Sequence, residues 1–301
     1  MDKRQHDLLV IIVTYNAMQW AKRCFDSLLA SSVKCDVYVV DNGSTDRTQD
    51  YIQKEYPDVM FSQSEENLGF GRANNKGLDY AIQNDYKYVY LLNQDAWVLP
   101  DTFERLIKVS CNHSEYGILS PMQLQANMEH FDNNFRITIL GYSQSSTPSL
   151  VEDLYFQRGG DIYEVDKVMA AHWLLTRECV LTVGGFSPSF PHYGEDDNFI
   201  HRAHYWKMKV GVVPSAKAVH DRSDPVWSQE KEAYVNYYIQ QISRCSNPNH
   251  KHSVIACIMQ NFISYIIYRK PGFWKYSKQL FQQKSKFEEN FKKSLAKQAF
   301  L

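Results

Sequence analysis

Over the first hundred residues, apolar blocks alternate with polar turns. Leu8–Thr14 is a continuous apolar run, the pattern of a strand covered on both faces. Ala17–Ser31 has helical spacing, with Trp20, Cys24 and Leu28 on one stripe. Asp36–Val40 predicts a second strand, closed by the turn Asp41-Asn42-Gly43, after which Ser44 reads as a helix N-cap with Arg47 at N3. Val59–Ser62 predicts a short strand, Arg72–Gln83 a helix and Tyr86–Leu92 a strong strand, and Pro100-Asp101 opens a helix at Thr102. Strands that alternate with helices predict an α/β domain with a mainly parallel central sheet flanked by helices.

Residues 111 to 168 are less regular, and Gly141–Pro148 reads as a mobile polar loop. Then come the apolar stretch Val168–Leu175, a helix over Arg177–Val183, a turn at Gly184-Gly185-Phe186 and a helix over Asp196–Lys207. Lys209–Val213 and Ala216–Val219 predict two short strands, and from about Val226 the pattern is helical to the end. The pattern divides the chain into an α/β domain over 1–222 and a helical extension over 223–301. No internal repeat is present.

Charge and composition narrow the classes. Lys+Arg number 33 against 34 Asp+Glu, a net charge of -1, which argues against a protein held to nucleic acid by bulk charge. The six cysteines form no CxxC pair or zinc ligand set and read as reduced thiols of a cytoplasmic protein. Lys3 and Arg4 before an apolar run imitate a signal peptide, but the run ends at Thr14 without a small-residue cleavage site. Gln260, Asn261 and Ser264 break the late apolar stretch Val254–Tyr268, so no membrane-spanning helix is expected. From Arg269 to Leu301, nine Lys/Arg face only Glu288 and Glu289, with Phe273, Trp274, Phe281, Phe287 and Phe291 interleaved. That tail suits either a helix lying on an anionic membrane or a solvated helical tail packed on the body.

A dinucleotide-binding domain would explain Asp41 at the end of the second strand. Yet the first strand-to-helix turn, Thr14-Tyr15-Asn16-Ala17, holds no glycine, and the only Gly-x-Gly, Gly69-Phe70-Gly71, follows the third strand. The glycines are missing where backbone approach to a pyrophosphate requires them. No GxxxxGK[ST] is present either.

Six short motifs fit another frame: VTYN (Val13–Asn16), VVDNGSTDRT (Val39–Thr48), ENLGFGRANNKGL (Glu66–Leu78), LLNQDAWV (Leu91–Val98), GGFSPSFPHYGEDDNFIHR (Gly184–Arg202) and VGVVPSAKAVHD (Val210–Asp221). In order and spacing they resemble the family 2 inverting glycosyltransferases of the GT-A nucleotide-diphospho-sugar transferase fold. Within that family they are similar to the bacterial rhamnosyltransferase-like branch of polysaccharide assembly. The resemblance covers residues 8 to 222 and leaves the helical extension outside.

The resemblance implies roles residue by residue. Asp41 would accept the imide N–H of uracil or thymine, with Thr14, Tyr15, Asn16 and Asn42 around it; the turn sequence by itself reads as no more than a capped turn. Asn67, Gly69, Phe70, Asn74 and Asn75 would form the loop over the nucleotide. Asn93-Gln94-Asp95 takes the place of the DxD metal motif, with an amide where the first carboxylate usually stands. Asp95 and His220 are thus the implied ligands of a Mg²⁺ or Mn²⁺, hard cations that prefer oxygen, with Asn93 beside the donor. Glu195, Asp196 and Asp197 match the acidic signature, with Asp196 as catalytic base, Asp197 as fallback and Asn198 where relatives carry a second Asp. His172, Trp173, His192 and Tyr193 would line the acceptor pocket. The implied reaction moves a sugar from a UDP- or dTDP-sugar, dTDP-rhamnose among them, to a hydroxyl of a glycan or lipid-linked glycan at the inner face of the cell membrane. Asn93 and Asn198 keep open a second reading, a catalytically weak sugar-nucleotide-binding or scaffold protein.

Overall fold

The computed structural model describes residues 4–140, 148–222, 228–269 and 272–301. The loop expected at Gly141–Pro148 thus lies outside them, Pro148 apart. The N-terminal part runs β1 (Leu8–Thr14), α1 (Ala21–Leu29), β2 (Asp36–Asp41), α2 (Thr48–Glu55), β3 (Met60–Gln63), α3 (Gly69–Gln83), β4 (Tyr88–Asn93), β5 (Ala96–Val98) and α4 (Thr102–Asn112). The middle part adds β6 (Tyr116–Leu124), α5 (Asn133–Leu140), α6 (Pro148–Tyr155), β7 (Tyr163–Glu164), β8 (His172–Thr176), α7 (Arg177–Val183), α8 (Glu195–Tyr205) and β9 (Lys209–His220). The C-terminal part is helical: α9 (Gln229–Tyr234), a π-helical turn at Val235–Ile239, α10 (Gln240–Ser246), α11 (Val254–Tyr268), α12 (Phe273–Gln282) and α13 (Lys284–Ser294).

Among the described residues one sheet carries the strand order β3-β2-β1-β4-β8-β6-β9-β5, with β7 beside β9. The half β3-β2-β1-β4 is parallel, as expected. The other half is mixed: β8 runs antiparallel to β4 and β6, β9 is parallel to β6, and β5 and β7 are antiparallel to β9. The unbroken apolar run of β1 follows from cover on both faces. Leu9 and Ile11 enter one core with α3, α7 and α8, while Leu8, Val10 and Ile12 enter another with α1, α2 and α4, since side chains alternate across a strand.

Local differences have physical causes. The second helix begins at Thr48, not beside Ser44. The Ser44 hydroxyl donates to Asp41 instead of capping. The nine-residue β6 has no clear apolar signature because Ser120 and Gln123 interrupt it. Both are buried, with Gln123 Nε2 donating to Ser120 Oγ and to the Met169 carbonyl while Gln123 Oε1 has no hydrogen-bond partner, so the polarity is met in part by internal bonds. The two strands expected over 209–219 are one strand, with a register shift where Val213 and Lys217 face successive residues of β6.

The C-terminal helices build a third core around Tyr237, Tyr238, Ile242, Cys257, Leu280 and Phe287, which also takes in Phe190. The basic tail is not one surface helix: α12 buries Phe273, Tyr276 and Leu280, and α13 buries Phe287. The end of the chain is tied to the α/β body. The Gly185 N–H donates to the Ala299 carbonyl at 2.8 Å, and Asn75 Nδ2 donates to the Phe300 carbonyl at 3.2 Å.

Candidate active site

The carboxyl ends of β1, β2 and β4 lie side by side, where open α/β sheets form their ligand crevice. Thr14, Asp41 and Asn93 close these strands. Asp41, however, faces inward and is fully buried. Its carboxylate accepts from Thr14 Oγ1 (2.9 Å), Ser44 Oγ (2.6 Å), the backbone N–H groups of Gly43 (3.2 Å) and Ser44 (2.9 Å) and Gln49 Nε2 (2.9 Å). Five internal donors take up the acceptor capacity of a carboxylate. Asp41 therefore ties the ends of β1 and β2 together and does not offer an acceptor to a base, and Thr14 is its partner. Asn42 is likewise internal: its side chain donates to the Gly69 carbonyl and accepts from Leu68 N–H.

The groups left at the crevice surface are Tyr15, 46% exposed, Asn16, Asn67 and Arg72. Tyr15 is fixed to the next strand by Gln94, which accepts from its N–H at 2.7 Å and donates to its carbonyl at 3.2 Å. Asn16 sits at φ 51° and accepts from Thr45 N–H through its side chain. Asn67 accepts from Gly69 N–H. Gly69 has φ +75°, and a Cβ there would come within 3.1 Å of the Pro191 carbonyl, so the start of α3 lies under the loop that leads to α8. Phe70 packs edge-on against Phe186, Asn74 is buried and donates to the Phe70 carbonyl, and Asn75 clamps Phe186 through both its N–H and its carbonyl. These three hold the loop in place rather than reaching over a nucleotide.

β5 runs antiparallel to β9 with Ala96 opposite His220, and that pairing joins two motifs far apart in sequence. His220 Nε2 lies 3.4 Å from Asp95 Oδ1 and 3.5 Å from the Asn93 side-chain amide nitrogen. Burial pushes the Asp95 carboxyl up, and the hydrogen bond and charge of His220 outweigh it and hold the group low. The opposite ring nitrogen, Nδ1, is buried and faces Asp132 Oδ2 at 3.5 Å without a hydrogen bond in this arrangement. Asp132 is buried, caps α5 through Phe135 N–H and takes Arg222 Nε at 3.0 Å. A carboxylate behind a histidine is the arrangement that orients an imidazole toward a cation. Among the described residues no three His, Cys, Asp or Glu side chains gather as a complete metal cage. One carboxylate, one imidazole nitrogen and one amide fit an open site for a hard or borderline dication that takes its other oxygens from a diphosphate.

The acidic turn is set by two consecutive left-handed residues, Tyr193 at φ 70° and Gly194 at φ 81°. They swing the chain so that Glu195, Asp196 and Asp197 occupy the first turn of α8, where the helix dipole favours negative charge. Glu195 is buried, and its Oε2 has no hydrogen-bond partner; burial and then the Asp196 charge push it up to about 8. Asp196 is half-buried, and burial and then Asp197 push it up to about 6, against the pull of Lys167. Lys167 Nζ pairs with Asp197 at 2.9 Å. Four residues later the Ala171 carbonyl accepts from Asn93 N–H at 3.1 Å. The same segment thus touches both motifs, Asp197 through Lys167 and the end of β4 through Ala171.

Arg202, which matches the end of the acidic signature, is fully buried; it donates to the carbonyls of Val183 and Gly185 and to Asn198 Oδ1. Asn198 is thus a structural partner of Arg202. His172 and Trp173 do not line an acceptor pocket. His172 is buried between Tyr90 and the Val219 carbonyl, and burial holds its imidazole down to about 3. Trp173 is fully buried against Phe186 and Phe199, because β8 is a central strand. His192 is exposed and lies against Tyr193 at 3.8 Å between ring centroids with the rings tilted by 47°, and the Lys231 ammonium is 4.9 Å above the Tyr193 ring. The motif pattern did not single out Lys167, Asp132 or a role for Gln94. Asp132 before an apolar run carries only a cap signal, and nothing in the sequence marks Lys167.

Residues 9–143 match the family model described as Glycosyl transferase family 2. The chain is 31% identical over 105 residues to Glycosyltransferase GlyA of Streptococcus pneumoniae, a match that covers 34% of this chain and only 14% of that protein. It is 23% identical over 244 residues to the low-salt glycan biosynthesis hexosyltransferase Agl10 of Haloferax volcanii, covering 77% of this chain and 72% of the relative. Among solved structures, GalNAc-T7 with UDP, GalNAc and Mn²⁺ has a TM-score of 0.58 at 14% identity, over 88% of this chain and 58% of that one; this is a likeness of fold. The matched stretch contains the ends of β1, β2 and β4 and the Asn93 corner, and the sheet surrounds them as that architecture requires. Residues 9–143 thus carry the glycosyl transferase family 2 match, and the chain is built on the GT-A fold.

Proposed function

We propose that this chain transfers a sugar from a UDP- or dTDP-sugar to a hydroxyl of a glycan or lipid-linked glycan by direct displacement, with inversion at the anomeric carbon. The observation that carries the reading is the acidic turn: a half-buried Asp196 with a raised pKa in the first turn of α8, beside Asp197, which Lys167 pairs. A general base needs a pKa near the working pH and reach to the acceptor proton. Asp196 is the accessible member of its pair; Glu195 is buried and holds a proton near neutral pH. Asp196 takes the acceptor proton as the new glycosidic bond forms and the bond to the nucleoside diphosphate breaks. Lys167 holds Asp197 and keeps the second negative charge paired. Tyr15 offers a ring face to the base, and Asn67, Gln94 and Arg72 offer polar groups to the donor. The acceptor side falls to His192 and Tyr193 at the loop rim.

Asp95, His220 and the Asn93 amide would hold a Mg²⁺ or Mn²⁺. When bound, such an ion offsets the negative charge that develops on the departing diphosphate. Structural support for a pyrimidine nucleotide comes from the neighbour solved with UDP and Mn²⁺, and support for a glycan-building role from the hexosyltransferase relative. The test is thermal unfolding with UDP, dTDP, GDP, CMP and NAD, each with and without Mn²⁺. A ligand that binds only the folded state raises the midpoint by mass action. A Mn²⁺-dependent rise with UDP or dTDP alone supports the reading. If no pyrimidine nucleotide stabilises the chain, the transferase reading fails.

A further inference from the structure

α11 (Val254–Tyr268) has two unlike faces. Val254, Cys257 and Asn261 point inward, where Asn261 donates to the Tyr237 carbonyl. Ile255, Met259, Phe262, Ile263, Ile266 and Ile267 point outward and are between 38% (Phe262) and 63% (Ile267) exposed. They recur at the spacing of one continuous stripe. Trp274, 71% exposed, extends the stripe, because its neighbour Phe273 stacks on Tyr265 and touches Phe262. Exposed apolar surface of this extent and continuity marks an interaction site.

The charge around the stripe decides its partner. No Asp or Glu occurs between Ala233 and Phe287, while that span holds eight Lys and Arg. Lys251 precedes the stripe, Arg269 follows α11, and Lys275, which pairs with Glu230 at 2.7 Å, and Lys278 follow on α12. A second copy of this chain would bring the same cations against these. An anionic bilayer would neutralise them and take up the apolar side chains. α11 is too short to span: fifteen residues at about 1.5 Å each give about 22 Å against a hydrocarbon core of about 30 Å. No helix among the described residues is long and apolar enough to cross. Apolar and aromatic groups on one short exposed helix, with cations on either side of it in the chain, fit an element that lies in the interface plane.

We propose that the outer face of α11, with Trp274 beside it, is a docking surface for an anionic lipid bilayer, and that the chain lies on the membrane through this face. The surface takes in only the start of the basic tail marked by the sequence pattern, and of that tail's aromatic residues Phe273 and Phe287 are buried in the body. The proposal stands independently of the transferase chemistry.

The test is co-sedimentation of the full chain with vesicles of phosphatidylcholine containing phosphatidylglycerol, against phosphatidylcholine alone. Binding should favour the anionic vesicles and weaken with salt. The double variant Ile263→Glu/Ile267→Glu should weaken it about tenfold or more; both positions are exposed, so the thermal midpoint should not move. Brominated lipid should quench the wild-type fluorescence and quench Trp274→Phe less, which reads the same contact without a charge change. Unchanged vesicle binding by the double variant would overturn the proposal. So would a concentration-dependent dimer, detected by light scattering, that the double variant abolishes.

Discussion

Glu195→Gln isolates the energetic cost of the buried carboxyl beside the catalytic base. Glu195 is 7% exposed with one oxygen unpartnered, and its pKa rises from an ordinary 4.5 to about 8. Because the folded-state value is the higher one, the folded chain keeps a proton that the unfolded chain releases. This group's contribution to stability is therefore present below pH 4.5 and is lost as pH rises toward 8. At about 1.4 kcal/mol per pH unit, the wild type forgoes about 3 kcal/mol at pH 7 and about 1 kcal/mol at pH 5. Gln has no proton to release and copies the shape of the neutral acid. The stability of Glu195→Gln relative to wild type should thus grow by about 2 kcal/mol between pH 5 and pH 7, or roughly 4 °C in midpoint for a chain of this size. Urea unfolding followed by circular dichroism at several pH values measures it, and sugar transfer by the variant should survive. Parallel stability curves for the two proteins across pH 5 to 8 would refute the claim that this carboxyl is protonated in the folded state.

Asp196→Asn should lower kcat by about 10²–10⁴-fold, the usual worth of a positioned base, while nucleotide binding by calorimetry stays intact. In the wild type, kcat/KM should fall about tenfold per unit below about pH 6, since the base must be unprotonated to act. Asp132→Asn should weaken Mn²⁺ binding in the presence of UDP by about 10–100-fold; unchanged affinity would leave Asp132 as a cap of α5 alone. Trp173→Ala should cost about 3–5 kcal/mol of stability as a core truncation. A variant of full stability with a raised acceptor KM would instead return Trp173 to the acceptor side.

Much of the fold is legible because strands covered on both faces leave unbroken apolar runs. β1 and α7 follow from pattern alone, and the parallel half of the sheet follows from the strand–helix alternation. β6 was hidden because the buried Ser120 and Gln123 bond to each other inside the core, which no local pattern reveals. β5 is three residues long, below the length at which periodicity carries information. Among the site residues, the acidic turn was legible because three carboxylates at a helix start after a Tyr-Gly pair form a compact local signal. Asp41 was legible as a strand-end acid, but its orientation was not.

The sequence by itself determined the α/β character, the family of the first half and the acidic turn, because each rests on contacts between near neighbours in the chain. Tertiary structure alone decided that Asp95 meets His220 with Asp132 behind it, because that meeting needs β5 to lie antiparallel on β9. It alone turned Asp41, Trp173 and His172 inward, because whether a polar or aromatic side chain faces a ligand or a core depends on which strands flank it. It alone left the outer face of α11 uncovered: the helical pattern shows that a stripe is apolar, and only packing shows whether anything has been laid against it.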